Sequence, residues 1–309
     1  MPLLRALPAL LLLLLLLCAP LYNAVAAPQP AIIAHRGGTA DAPENTVPAI
    51  RSALANGVDA VWITLQLSKD GVVVLYRPAN LQALTNARGP VSAYSAAQLA
   101  QTDAGWAYIR GDGHPYRAQG IGIPRLATVL QTFPHATFYL DIKSPDADPA
   151  RFADALLTTL EEQHALARTR VYSTDARYLQ ALPPQIARFV SRDETRSLLA
   201  NVAMAHRCQL QPHDAMPRWY GLELTREVEV VEKYTLGEGR SKAQLSWDEE
   251  SMVCFRSQGP ARIVLFGINS PEAYRQAQTL GADAVMVDSP EQAQQWRKRN
   301  RDAASRAPE

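Results

Sequence analysis

Short apolar runs alternate with amphipathic stretches along most of the chain. Residues 31–35 read as a strand, and 47–56 as a helix with Ala49, Ile50, Ala53 and Leu54 on one face. Residues 59–67 and 71–76 are β-rich, separated by the turn Lys69-Asp70-Gly71. Further strands are expected at 137–142, 169–173, 186–190, 219–224, 262–268 and 284–287. Helices are expected at 95–99, 125–133, 149–164, 175–182, 194–205, 271–280 and 290–299. Such alternation predicts a parallel sheet covered by helices. About eight units in this length suit a closed (β/α)8 TIM barrel, and a doubly wound open sheet is the other arrangement the pattern allows. Residues 227–257 interrupt the alternation and read as an elaborated loop or a β-rich insertion.

The start of the chain follows a different pattern. Arg5 is the only charge before an apolar run that includes unbroken leucine from Leu10 to Leu17, and Ala24-Val25-Ala26 supplies small residues beyond it. Residues 1–26 therefore read as a secretory signal peptide. Its apolar centre, about 12–14 residues, is shorter than the roughly 20 a bilayer span needs. A periplasmic or secreted protein with no stable membrane span after signal cleavage is expected. Cys18 follows Leu17 rather than the small residue of a lipidation site. Residues 31–299 then form one barrel domain and 300–309 a flexible tail.

The formal net charge is +1, which gives no reason to expect a nucleic-acid partner. Only Cys208 and Cys254 remain after the signal. An oxidising compartment would let them pair, but two cysteines do not fix a framework.

Catalytic groups of barrel enzymes sit at the C-terminal ends of strands. His35 and Arg36 end the first strand and are followed by Gly37-Gly38. The glycines permit a close backbone approach to a ligand. The histidine can move a proton, and the arginine can hold a phosphate with two hydrogen bonds. Glu44 opens the next helix and is free to ligate a cation.

Several segments together resemble the glycerophosphodiester phosphodiesterase family. They are Ala34-His35-Arg36-Gly37-Gly38, Ala42-Pro43-Glu44-Asn45-Thr46, Ser68-Lys69-Asp70-Gly71, Asp141-Ile142-Lys143, Tyr172-Ser173-Thr174-Asp175, and the closing runs 267–271 and 280–290. The resemblance implies a TIM barrel of the phospholipase C-like phosphodiesterase type. It also implies hydrolysis of glycerophosphodiesters to an alcohol and glycerol 3-phosphate, usually with Ca²⁺ or Mg²⁺.

The family pattern is kept at His35, Arg36, Glu44, Asp141 and Lys143, and Phe266 stands where its closing aromatic falls. It is broken at three places. Trp62 and Thr64 replace a metal-binding Glu-x-Asp pair, and Arg77-Pro78 replaces a His-Asp whose histidine is the second acid/base. Glu44 and Asp141 alone offer a divalent cation a weak site or none. Arginine stays protonated and serves as a phosphate clamp rather than a proton shuttle.

The site expected is thus His35 and Arg36 as catalytic groups and Arg36, Arg77 and Lys143 around a phosphate. Trp62, Thr64, Phe266 and Glu223 line the pocket, and Glu223 either replaces a lost ligand or is structural. Arg77 either clamps phosphate or pairs with Glu44 or Asp141. Two functions follow. One is a phosphoric diester hydrolase with reduced or altered metal dependence. The other is a catalytically silent barrel that binds a phosphate-bearing or other anionic solute. In both, the partner is a small molecule.

Overall fold

The computed structural model describes residues 28–213 and 216–304; the expected signal peptide at 1–26 lies outside them. The elements, in chain order, are β1 Ala31–His35, α1 Val47–Ala55, β2 Ala60–Leu67, β3 Val73–Leu75, α2 Ala96–Leu99 and α3 Leu126–Thr132. Next come β4 Phe138–Ile142, α4 Pro149–Glu162, β5 Thr169–Ser173, α5 Ala176–Ala181, α6 Arg192–Ala205 and β6 Arg218–Glu223. The chain finishes with β7 Thr225–Tyr234, β8 Gly237–Ser246, α7 Glu249–Ser257, β9 Ala261–Phe266, α8 Pro271–Thr279, β10 Ala284–Val287 and α9 Pro290–Ala304.

Seven strands run parallel in the order β5-β4-β2-β1-β10-β9-β6. The gap between β5 and β6 is closed by residues 186–190. Val171 N–H donates to Ala187 O at 2.8 Å, Phe189 N–H returns to Val171 O at 2.8 Å, and Val190 N–H donates to Trp219 O at 2.8 Å. This segment is the eighth stave of a (β/α)8 barrel, as the apolar run 186–190 predicts. It pairs with β5 through a single parallel bridge, Val171 with Arg188, and the Arg188 guanidinium ties it to the carbonyls of Leu179 and Pro183. The β-rich run 71–76 is not a stave. Its core, β3, pairs antiparallel with the far end of β2, outside the barrel wall.

Several helices open on a side-chain cap, and one of them, α7, falls within 227–257, where a loop or β-rich insertion was expected. Thr46, Asp148, Ser191, Asp248 and Ser270 each accept a backbone N–H of the first turn. The interruption after β6 is a hairpin of ten-residue strands, β7 and β8, turned by Thr235-Leu236. Cys208 and Cys254 are bonded to each other, with Cα atoms 5.7 Å apart, and tie the segment after α6 to α7. At the C-terminus α9 runs on to Ala304, so residues 300–304, assigned to the tail, are helical; Asn300 Nδ2 anchors that turn to Gln278 Oε1 at 3.0 Å.

Two apolar layers result from strand alternation. Val61, Ile63 and Leu65 of β2 face the helices, in one core with Phe138, Phe152 and Leu199. Ile33, Trp62, Tyr139, Tyr172, Phe189, Phe266 and Met286 point inward and fill the barrel. On β6 the inward position is Gly221. A Cβ there would lie 2.6 Å from Phe266 Cζ and 3.5 Å from Phe189 Cδ1, so its hydrogen is what leaves room for the Phe266 ring.

Candidate active site

The floor of the barrel mouth is aromatic. Trp62 is 2% exposed, with its ring 5.0 Å from Tyr172, 5.1 Å from Phe266 and 5.9 Å from Phe189, centroid to centroid. A carboxylate at position 62 would lie in this stack without water. The tryptophan is therefore consistent with its packing neighbours.

Above the floor lies a cavity of about 470 Å³. His35, Arg36, Arg77, Lys143, Thr174, Arg192, Glu223, Arg226 and Asp288 bring polar groups to it, and Asp141, Trp62, Tyr172 and Phe266 line its base. These residues come from the C-terminal ends of the staves or the loops beyond them, where a barrel places its chemistry. Five cationic side chains face three carboxylates and one histidine. That balance favours an anionic ligand.

His35 is held from behind. Its Nδ1 lies 2.6 Å from Asp288 Oδ1, and Asn269 Nδ2 donates to Asp288 Oδ2 at 2.6 Å. The Asp288 backbone N–H also donates to Asn269 Oδ1 at 2.9 Å, so the two residues clasp each other. Hydrogen bonding to His35 holds the Asp288 carboxyl below its usual range, against the opposing effect of burial. With Nδ1 committed to a carboxylate, Nε2 is the nitrogen left for the cavity.

Arg36 takes the left-handed backbone conformation, φ +50°, an uncommon one for a residue with a side chain. The loop that imposes it is pinned: Asn45 N–H donates to Arg36 O at 2.8 Å, and Ala40 N–H to Asp288 O at 3.0 Å. Arg36 Nη1 bonds Glu44 Oε2 at 2.6 Å. Gly37 and Gly38 approach protein rather than ligand; a Cβ on Gly38 would lie 2.7 Å from Pro290 Cδ.

On β4, Asp141 is buried beside Lys143, with Nζ 3.2 Å from Oδ1. Burial pushes the Asp141 carboxyl up, and Lys143 and Trp62 hold it back only in part. Lys143 Nζ also donates to Thr174 Oγ1 at 2.8 Å.

Four expectations change. Arg77 is exposed and pairs with neither Glu44 nor Asp141 among the described residues; Gln66 holds its carbonyl and that of Pro78, leaving the guanidinium on the rim. Glu223 is no replacement ligand, because Arg192 grips both its oxygens at 2.7 and 2.8 Å. Thr64 does not line the mouth cavity: it is fully buried, two residues nearer the C-terminal end of β2 than Trp62, its N–H held by Asn45 Oδ1 at 2.8 Å. Glu44 lines a neighbouring pocket with Thr39, Leu84 and Tyr108 rather than the mouth itself.

These donors do not fit the divalent cation that the family resemblance implies. Glu44 Oε1 and Thr64 Oγ1 are buried without a hydrogen-bond partner, and Asp141 Oδ1 has the Lys143 ammonium at 3.2 Å, so polar atoms remain near the expected position. However, the charges of Glu44 and Asp141 are cancelled by Arg36 and Lys143. Among the described residues no three His, Cys, Asp or Glu side chains come together as a metal site. A hard dication wants six or more oxygens and net negative charge.

Asp288, Asn269, Arg192, Tyr172 and Arg226 were not singled out as site residues from sequence. Asp288 carried a signal, since it ends the last strand inside a matching segment. Arg192 carried none: it opens a helix 31 residues before its partner Glu223.

A family model described as Glycerophosphoryl diester phosphodiesterase family matches residues 35–292. The uncharacterized protein Rv2277c of Mycobacterium tuberculosis is 44% identical over 275 residues, covering 87% of this chain and 90% of the relative. The crystal structure of its glycerophosphoryl diester phosphodiesterase domain superposes with a TM-score of 0.81 at 42% identity, covering 87% of this chain and all of that one. The Bacillus subtilis glycerophosphodiester phosphodiesterase is 30% identical over 141 residues, 44% of this chain and 47% of the enzyme. The fold is shared at 21% identity and a TM-score of 0.65 with an Oleispira antarctica phosphodiesterase in complex with the product sn-glycerol-3-phosphate, covering 88% and 97% of the two chains.

Proposed function

Because the chain belongs to the glycerophosphoryl diester phosphodiesterase family, we propose that its barrel mouth hydrolyses a phosphoric diester without a resident metal ion. The single observation that carries this is the 2.6 Å contact between His35 and Asp288, backed by Asn269. A histidine whose Nδ1 is held by an oriented carboxylate presents Nε2 as a base and stabilises the imidazolium that follows.

In the reaction, water attacks phosphorus while His35 Nε2 takes its proton. The phosphorus–oxygen bond to the departing alcohol breaks, and the imidazolium returns that proton to the alkoxide. One histidine serves both steps, which suits a site where Arg77 occupies the second acid/base position. Arg77, Lys143 and Arg192 surround the cavity and stabilise phosphoryl charge. A glycerophosphodiester is the substrate class that the family name carries, and the glycerol phosphate bound by the Oleispira barrel supports it.

A second reading is a silent barrel that binds anions. It is favoured by the pairing of Arg36 with Glu44 and of Lys143 with Asp141, which leaves one proton shuttle in a mouth that still holds more cations than carboxylates. Purified protein assayed on glycerophosphocholine, glycerophosphoethanolamine and an aryl phosphodiester separates the two. Turnover above a His35→Ala control, unchanged by chelator, is expected. No turnover above that control, with calorimetric binding of glycerol 3-phosphate, supports the second reading.

We also propose that the protein works outside the cytoplasm. The signal-like residues 1–26 motivate this, and the Cys208–Cys254 bond supports an oxidising compartment. Among the described residues no helix is long and apolar enough to cross a membrane.

A further inference from the structure

A second cavity, about 320 Å³, opens beside the mouth. Arg77, Lys143 and Thr174 belong to both spaces and form the ridge between them. An anion held on that ridge would border both spaces, within reach of the second groove for one of its ester arms.

The groove is walled by Pro78, Ala79, Ile142, Pro145 and Tyr178. Its polar groups are already engaged. The Tyr178 hydroxyl sits between the carbonyls of Ser144 and Ala147, 2.8 Å from the latter. Ser144 Oγ accepts the Leu67 N–H at 3.1 Å. Asp175 is bound by Arg177, with Nη2 2.7 Å from Oδ2. Gln66 fixes the 77–78 backbone that forms one wall, donating to the two carbonyls at 3.1 and 2.8 Å. Apart from the cations of the ridge, the polar side chains named here are engaged, whereas the carbon surface of Pro78, Ala79, Ile142 and Pro145 is free for an alkyl chain.

We propose that this groove seats an apolar ester arm of the phosphodiester, so that the protein selects diesters of alkyl alcohols over those of small polar ones. The assignment rests on the mouth being the phosphate site, as set out above, but not on turnover.

Calorimetry with methyl, butyl and octyl phosphate, each below its micelle concentration, tests it. Affinity should rise with chain length, with octyl phosphate roughly 30-fold or more tighter than methyl phosphate, since each buried methylene adds about two- to fourfold. Ala79→Trp fills the groove from an exposed position; it should cut that gain to less than about threefold and leave methyl phosphate binding unchanged. Ala79→Ser should keep the gain. Octyl phosphate binding no tighter than methyl phosphate overturns the proposal, as does a gain that survives Ala79→Trp. Binding of none of the three removes the mouth as a phosphate site and the proposal with it.

Discussion

Asp288 and His35 lie 253 residues apart in the chain and 2.6 Å apart in the fold. They meet because β1 and β10 are neighbouring parallel strands, paired from Ala31–Ala284 to Ala34–Val287. The next residue on each strand is the one that carries chemistry.

Asp288→Asn should therefore act through His35. The amide keeps the shape but no longer favours the imidazolium. Turnover should fall about 10²-fold or more, within the usual contribution of a positioned acid/base. Calorimetric binding of glycerol 3-phosphate should change little. Equal losses in both would mean that Asp288 builds the pocket rather than orients the histidine.

Arg192→Ala should cost stability and anion binding together. Arg192 is largely buried, and its removal leaves Glu223 and the Tyr172 hydroxyl without their donor. Because Glu223 is one-third exposed, the loss should be about 1–2 kcal/mol, below the range for a fully buried pair. Urea unfolding gives the stability term, and phosphate titration should show weaker binding. Arg192→Lys should recover only part of each, since an ammonium cannot grip both carboxylate oxygens.

Asp141 sets a pH dependence of opposite sign to a usual surface carboxylate. Its folded pKa is raised, mainly by burial. The charged form then costs stability at neutral pH, and that cost is relieved as pH falls through the folded pKa. Asp141→Asn should lack this part of the profile. Urea unfolding at pH 7 and about pH 4.5 should show the wild type gaining on the variant as pH falls. A constant difference between the two pH values would contradict the raised pKa.

Gly221→Ala should destabilise by about 1–3 kcal/mol through overpacking, because its Cβ would meet the Phe266 ring at 2.6 Å. Phe266→Leu in the same chain should recover part of the loss. Independent, additive effects would show that the two positions do not share that space.

Much of the barrel was legible in local pattern. Period-two apolar runs marked its staves, including 186–190, which ladder bonds alone would have missed. Chemistry at strand ends was legible for the same reason: His35, Arg36, Lys143 and Phe266 all line the mouth, as their positions after apolar runs imply. The alternation of β2 also put Trp62 and Thr64 on one face.

Depth and partnership were not legible. Trp62 floors the cavity, yet Thr64, two residues further toward the mouth end of the same strand, is sealed from it, and Asn45 from the loop after β1 is what holds it there. Sequence left Glu223 open between ligand and structural roles until the fold brought Arg192 to it, and left Arg77 open between clamping phosphate and pairing until Gln66 fixed its loop on the rim. Sequence by itself determined which elements form and which residues end them, because those choices depend on neighbours along the chain. Tertiary structure alone decided which charges cancel and which histidine is held, because strand pairing joins residues that the chain keeps far apart.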